Sequence, residues 1–285
     1  MRPPAGIRFA RKTLDMLLAR DLPGELARLY VVRCADLTPL SATHPRHTAR
    51  LAEWIAQERS LRHPLLVCPL AGRTVVLDGN SRLAAALKLG LPDILVQKLP
   101  HEFLPDPLRL PAMASLGVAR DDVERVLEDG FVAVDAAPEG ALSVHLPGGD
   151  IRALMADGIQ PRALWEAYRR IITALQTSSD VAPVSLGAAA AIRASGIEPH
   201  HALVVPPPMP AAVLAHLVQA GSLLPWGALQ APFPRRILGI NLSLAVLKAP
   251  EAPEEKTDFV RDLVRLRLSE HRVHLYDAPV YLFEP

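Results

Sequence analysis

Residues 64–90 read PLLVCPLAGRTVVLDGNSRLAAALKLG, and that order of residue types admits few folds. Two apolar runs, PLLVCPL (64–70) and TVVLD (74–78), flank the turn Ala71-Gly72-Arg73, the pattern of a β-hairpin. The second run ends in the polar hinge Asp78-Gly79-Asn80-Ser81-Arg82. A helix is expected over residues 81–89, stopped by Gly90 and Pro92. The hinge therefore places a carboxylate, two small polar side chains and a guanidinium at one helix start.

The surrounding sequence extends this unit. LYVVRC (29–34) is a short apolar strand, and residues 11–30 carry Leu14, Leu17 and Leu18 at helical spacing. THPRHTARLAEWIAQERS offers Leu51, Trp54 and Ile55 as one helix face, and DILVQKL (93–99) is a further strand. Strands and helices alternating over about a hundred residues predict a compact α/β domain. Pro100–Pro111 carries four prolines and reads as a linker, so a domain over 1–104 and a second over 105–285 are expected. The second region has helical patterns at 120–129, 161–176, 186–195, 210–221 and 257–270. In 161–176, Leu164, Tyr168, Ile171, Ile172 and Leu175 share a face. RRILGINLSLAVL (235–247) has strand character, and RVHLYDAPVYLFEP closes with two short β segments. The expected class is α/β (α+β), with a mixed, largely helical C-terminal domain.

Composition limits the function classes. The 285 residues carry 31 basic and 30 acidic side chains, a net charge of +1, which argues against a general polyanion binder. No helix-turn-helix with a basic recognition helix is evident, so DNA is not expected as a partner. No apolar run approaches the roughly 18 residues of a membrane span, and no apolar signal segment follows the basic N-terminus. A soluble cytoplasmic protein, monomer or homodimer, is expected. Cys34 and Cys68 each lie inside an apolar run and read as buried, reduced thiols.

A helix start exposes unpaired N–H groups and the positive end of the helix dipole, which makes it an anion site where glycine lets the backbone approach. Gly79 supplies the hinge, Asn80 or Ser81 the cap, and Arg82 a bidentate partner for phosphate or carboxylate. Asp78 can hold a metal ion or orient a substrate hydroxyl or ammonium. The same five residues also suit an ordinary capped helix with a surface arginine.

The stretch HPLLVCPLAGRTVVLDGNSRLAAALKLGLPDILVQ resembles the core of the ParB/sulfiredoxin fold, in which a strand runs into a G-x-x-R turn and a phosphate-binding helix. The Asp-Gly form, followed by RLAAALKLGLP, is most similar to the free-serine kinases of that fold, which carry Asp-Gly-His-His-Arg here. HRVHLYDAPVYLFEP resembles their closing motif. LVQAGSLLPWGALQAPFPRRILGINLSLAVL resembles a segment whose Pro-rich, Arg-bearing loop lies near the nucleotide phosphates. The resemblance covers roughly residues 25–100 and 205–285.

It implies a small-molecule kinase using ATP or ADP with Mg²⁺, acting on the hydroxyl of serine, threonine or a related metabolite. Gly79, Asn80, Ser81 and Arg82, with Arg235 and Arg236, would hold the nucleotide. Asp78 would bind Mg²⁺ or orient the substrate, and His44, His47 or Asp78 would manage the proton. Two positions depart from the pattern. Asn80-Ser81 replace the paired histidines, and Leu40-Ser41-Ala42 carry no carboxylate where the kinases place their catalytic Glu. A nucleotide-binding regulatory protein without turnover is therefore the alternative.

The remaining candidates have plainer readings. The pairs His44/His47, His200/His201 and His271/His274 lack a third local ligand and read as solvated or capping histidines. Arg261, Arg265 and Arg267, interleaved with Asp258, Asp262 and Glu270, suggest an exposed, salt-laced helix face. Trp54 and Trp165 are expected in the core. Trp226 either covers a ligand or anchors its loop.

Overall fold

The hairpin of residues 65–78 sits at the middle of a mixed sheet. The computed structural model describes residues 24, 26–127, 130–155, 160–197, 201–229, 236–270, 272–276 and 280–283. Most of the helix expected over 11–30, and also Arg235, His200 and His271, lie outside the described residues. The first elements are β1 (Leu29–Arg33), β2 (Leu37–Pro39), α1 (Pro45–Glu58), β3 (Ser60–Leu61), β4 (Leu65–Leu70), β5 (Arg73–Asp78), α2 (Asn80–Lys88) and β6 (Asp93–Lys98). Five of the strands form one sheet in the order β1-β6-β4-β5-β2. β4 pairs antiparallel with β5 and parallel with β6. Ala71 (φ 52°) and Gly72 (φ 75°) make the two-residue turn, both with the positive φ that matches strand twist in a tight hairpin. The apolar run of β4 is buried on both faces, as expected of a central strand.

His44 caps α1 by accepting from the His47 N–H at 3.4 Å, and Pro45 occupies its first position. Ile55 is buried, but Trp54 is 42% exposed: α1 buries Thr48, Ala52 and Ile55, a face turned away from the tryptophan. α2 ends in a Schellman motif, with Gly90 N–H bonded to Leu87 O and Leu91 N–H to Ala86 O, each at 3.0 Å. Gly90 takes φ 65° there, and the buried Leu91 closes the cap.

Residues 104–231, with Leu40–Ala42, form a second compact unit. Its strands are β7 (Ala112–Leu116), β8 (Val132–Val134), β9 (Leu142–His145), β10 (Ile151–Leu154), β11 (Asp180–Val184) and β12 (His201–Val205). They make a six-stranded sheet in the order β11-β7-β12-β9-β10-β8, antiparallel throughout. Its helices are α3 (Arg120–Val126), α4 (Pro161–Ser178), α5 (Leu186–Ser195) and α6 (Ala211–Gln219). Leu164, Tyr168, Ile171, Ile172 and Leu175 of α4 are all buried, and Trp165 meets Tyr168 edge to face at 5.2 Å. Leu40–Ala42 pairs with Leu224 through two backbone hydrogen bonds of 2.8 and 2.9 Å.

The chain then returns to the first unit, which gathers the described residues up to Pro39, those of Thr43–Phe103 and those from Arg236 onward. Its last elements are β13 (Arg236–Leu238), β14 (Leu242–Ser243), α7 (Leu244–Lys248), α8 (Pro253–Ser269), β15 (Val273–Tyr276) and β16 (Val280–Phe283). The strand expected over 235–247 is thus interrupted. Gly239 (φ 74°) and Asn241 (φ 48°) break it, and Ser243 caps a helix by accepting from Ala245 N–H at 3.2 Å. β14 pairs with β3, and β13 lies parallel to β16 beside β15. Ile237, Ile240, Leu242, Leu247, Val260 and Val264 enter the same core as β1, β4 and β6.

Polar groups lock this return. The Thr257 hydroxyl accepts from Val31 N–H at 2.9 Å, and Gln97 Oε1 accepts from Ile237 N–H at 3.0 Å. Lys256, only 3% exposed, donates to Asp93 Oδ2 and to the carbonyls of Ala249 (2.7 Å) and Leu247 (3.3 Å). Arg261 and Arg265 pair with Asp258 and Asp262 on the exposed face as expected. Arg267 departs from that face and donates to Ile240 O at 2.7 Å. No helix of the described residues is long and apolar enough to cross a membrane.

Replacing Lys256 with Met leaves Asp93 as an uncompensated buried charge and is expected to cost about 3–5 kcal/mol in urea unfolding. The double variant Lys256→Met, Asp93→Leu is expected to recover most of that loss, because it removes both charges together.

Candidate functional site

β5 delivers Asp78 to the sheet's edge of the turn, and α2 begins two residues later at Asn80. Gly79, at φ 99°, is the N-cap, and no side chain caps the helix. The expected capping roles of Asn80 and Ser81 are therefore not the ones observed. Asn80 is the first helical residue, 7% exposed, and donates Nδ2 to Val76 O at 3.1 Å, pinning helix to strand. The first N–H groups of α2 have no acceptors within the helix, which gives this end its positive character.

Asp78 organises the charges. Its Oδ2 accepts from Arg82 Nη2 and from Arg236 Nη2, each at 2.6 Å. Arg82 and Arg236 side chains are 17% and 18% exposed, and Asp78 is 38% exposed. Burial pushes the Asp78 carboxyl up, but the two guanidiniums outweigh it and hold it below the ordinary carboxylate range. Arg82 Nη1 also donates to Pro64 O (2.8 Å) and His63 O (3.1 Å), so this guanidinium is fixed on three sides. Arg82 lies back over Gly79: a Cβ there would fall 2.9 Å from Leu65 Cγ and 3.0 Å from Arg82 Nη2. Glycine is required for both its φ and this close approach.

His63 completes the cluster, and nothing in the spacing of the sequence singled it out. Its Nδ1 accepts from Gly239 N–H at 2.9 Å, so the neutral ring carries its proton on Nε2. Burial, then the charges of Arg82, Arg62 and Arg236, push its pKa down to about 4. The Gly239–Asn241 turn that holds it is itself fixed by Asn241 N–H to Arg62 O (3.1 Å) and by Arg267.

The sequence-expected residues therefore fall into groups. Asp78, Gly79, Arg82 and Arg236 meet in one cluster, with Asn80 beneath it. Ser81 follows in the first turn of α2. His44 serves as the cap of α1, and Arg235 lies outside the described residues. In the second unit, Trp226 has its carbonyl held by Gln176 Nε2 at 3.0 Å.

Two cations on one carboxylate leave a surplus positive charge at a helix N-terminus, which suits a phosphate. A metal fits less well. Asp78 Oδ2 already serves two guanidiniums, and among the described residues no group of three or more His, Cys, Asp or Glu could hold an ion. Mg²⁺ in such a site would depend on ligand phosphates for most of its coordination.

Solved structures share this architecture at low sequence identity. C-terminally truncated SbnI from Staphylococcus aureus matches with a TM-score of 0.70 and 16% identity, covering 85% of this chain and 98% of that one. A mutant free serine kinase in complex with ADP gives 0.60 and 16%, covering 77% of this chain and 94% of its own. Free serine kinase in complex with AMP gives 0.58 and 15%, covering 77% and 93%. The chain has a ParB/sulfiredoxin-like fold of mixed α/β class. No family model and no curated protein sequence matches it.

Two measurements probe the cluster. Gly79→Ala is expected to cost about 1–3 kcal/mol through a strained φ and the clash with Arg82. Gly72→Ala, also at positive φ (+75°) but with nothing within 4 Å of its Cβ, is expected to cost less. For His63, the folded pKa of about 4 lies below the ordinary 6.5, so the unfolded chain binds the extra proton first. Stability is then expected to fall as pH drops between those values, and His63→Gln to flatten the fall by up to one proton's worth of slope. Asp78 acts in a separate window, because its stabilisation is lost only below its ordinary value of 3.8. Urea midpoints of both proteins across pH 7 to 4.5 check the sign.

Proposed function

We propose that the chain binds a nucleotide at the hinge and works as a small-molecule kinase, moving a phosphoryl group from ATP or ADP to the hydroxyl of a free amino acid such as serine or threonine. The observation that carries this reading is the convergence of Arg82 and Arg236 on Asp78 at the start of α2. The structural likeness to free serine kinases in complex with AMP and ADP supports it. Gly79, Ser81, Arg82 and Arg236 would hold the phosphates, and Arg235 would extend the same basic segment. A bound nucleotide would supply the transferable phosphoryl group and bring Mg²⁺ with it.

Phosphoryl transfer asks little covalent chemistry of a protein and much of its electrostatics. Fixed guanidiniums beside a helix N-terminus meet that demand. Asp78, held ionised by two arginines, is a weak base, and its role in this reading is to orient the guanidiniums. His44 is the other side chain assigned to the acceptor's proton.

One observation favours a rival reading. Residues 40–42 are Leu-Ser-Ala, without a carboxylate to align an attacking hydroxyl. A nucleotide-binding regulatory protein would need none.

Incubation with ATP or ADP, Mg²⁺ and a panel of hydroxy-amino acids separates the two. A phosphorylated amino acid is expected. Saturable ADP binding by calorimetry with no product would overturn the kinase and leave the regulatory protein. Arg236→Ala is expected to weaken ADP binding at least tenfold, on the order of 1.5 kcal/mol or more for a lost charge-assisted contact. Unchanged affinity would remove the hinge from either reading.

A further inference from the structure

The second unit has its own cavity, of about 310 Å³, lined by its own residues. Its floor is the pairing of β9 with β12, where Ser143 stands opposite Val205. One wall is α5, which presents Ala189 and Arg193 one turn apart. Another is Pro206-Pro207-Pro208, a backbone with fixed φ that needs little ordering on binding. The turn Pro138–Ala141, closed by Ala141 N–H to Pro138 O (3.3 Å) with Gly140 at φ 79°, places Glu139 at the mouth. Arg109 completes the mouth.

The charges here are uncommitted. Among the described residues no ion pair engages Arg109, Arg193 or Glu139. This contrasts with the hinge, where each guanidinium is already bonded to a carboxylate. On the same strand face as Ser143, two residues on, His145 is buried with Nε2 lacking a hydrogen-bond partner. Arg193 is among the charges felt by that ring.

We propose that this cavity is a binding site for a small organic carboxylate, with its apolar body against Val205 and the proline wall and its carboxylate between Arg109 and Arg193. The volume sits at the lower end of ligand sites, roughly 300–1,000 Å³, which selects a body of a few carbons. The planar forks of two arginines match a carboxylate, and Glu139 at the same mouth disfavours a polyanion. The proposal rests neither on the hinge nor on any kinase activity.

Hexanoate is a suitable probe, with 1-hexanol and hexyl phosphate as the uncharged and dianionic analogues. Calorimetry is expected to give saturable hexanoate binding, weakened at least tenfold in Arg109→Ala and in Arg193→Ala and kept or strengthened in Glu139→Gln. Hexanol is expected to bind at least tenfold more weakly than hexanoate. Both arginines are exposed, so the urea midpoints of the variants should match the wild type. Amide shifts on adding hexanoate to the wild-type protein give a second reading that needs no variant, and they are expected at Ser143, Ala189 and Val205. Absence of saturable binding, equal affinity in the double arginine variant, shifts confined to other residues, or tighter binding of hexanol or hexyl phosphate would each overturn the proposal.

Discussion

One carboxylate oxygen of Asp78 holds two guanidiniums, one from four residues and one from 158 residues further along the chain, and much of the first unit follows from that fact. Arg82 reaches Asp78 by folding back over position 79, where a Cβ would fall 3.0 Å from its Nη2, so that position favours glycine. The other side of the same guanidinium fixes the carbonyls of His63 and Pro64, which sets how the chain enters β4. Arg236 is the first residue of β13, so its bond to Asp78 also places the start of the returning segment. His63 then stands among cations, and a neutral ring is the only state that does not add to their repulsion.

The returning segment is held by the same economy of means. Lys256, Thr257, Gln97 and Arg267 each spend a side chain on a backbone group or a buried charge that would otherwise lack a partner. Hydrophobic contact would bring α8 against β1 in many registers. A hydroxyl that must meet Val31 N–H, and an ammonium that must meet Asp93, allow few. Burying such an ion pair costs desolvation that offsets much of its attraction, so the geometry it imposes matters beside its contribution to stability.

The fold is legible in the sequence where local chemistry decides structure. The hairpin, the hinge and the Gly90 stop are each written in adjacent residues, and the Tyr168 face of α4 in regular spacing. What stayed hidden depends on distant partners. Trp54 fits the helical stripe by spacing but is exposed, because α1 turns Ala52 and Ile55 inward instead. Apart from the strand-like ALVV at 202–205, the six-stranded sheet of residues 112–205 is illegible in the sequence, because its strands are three to five residues long and include segments as weak in β signal as AMASL. His63 and Arg267 act through the Gly239–Asn241 turn, and no window of sequence contains both ends of those contacts. Arg236 entered through family resemblance, not through spacing.

In the proposed reading, a ligand phosphate at the hinge would compete with Asp78 for the same two guanidiniums. Such a contact adds affinity only by the difference between what phosphate and carboxylate offer. That arrangement has a use. An unpaired pair of half-buried arginines would repel each other and move apart, whereas a shared carboxylate keeps them aimed and partly desolvated before any ligand arrives. Phosphate carries more charge and more acceptor oxygens than one carboxylate, so it can engage both forks and the helix N-terminus together. A monoanion could offer little that Asp78 does not already supply. In that reading the hinge would favour a phosphate over a monoanion, because its resting state already contains a weaker anion.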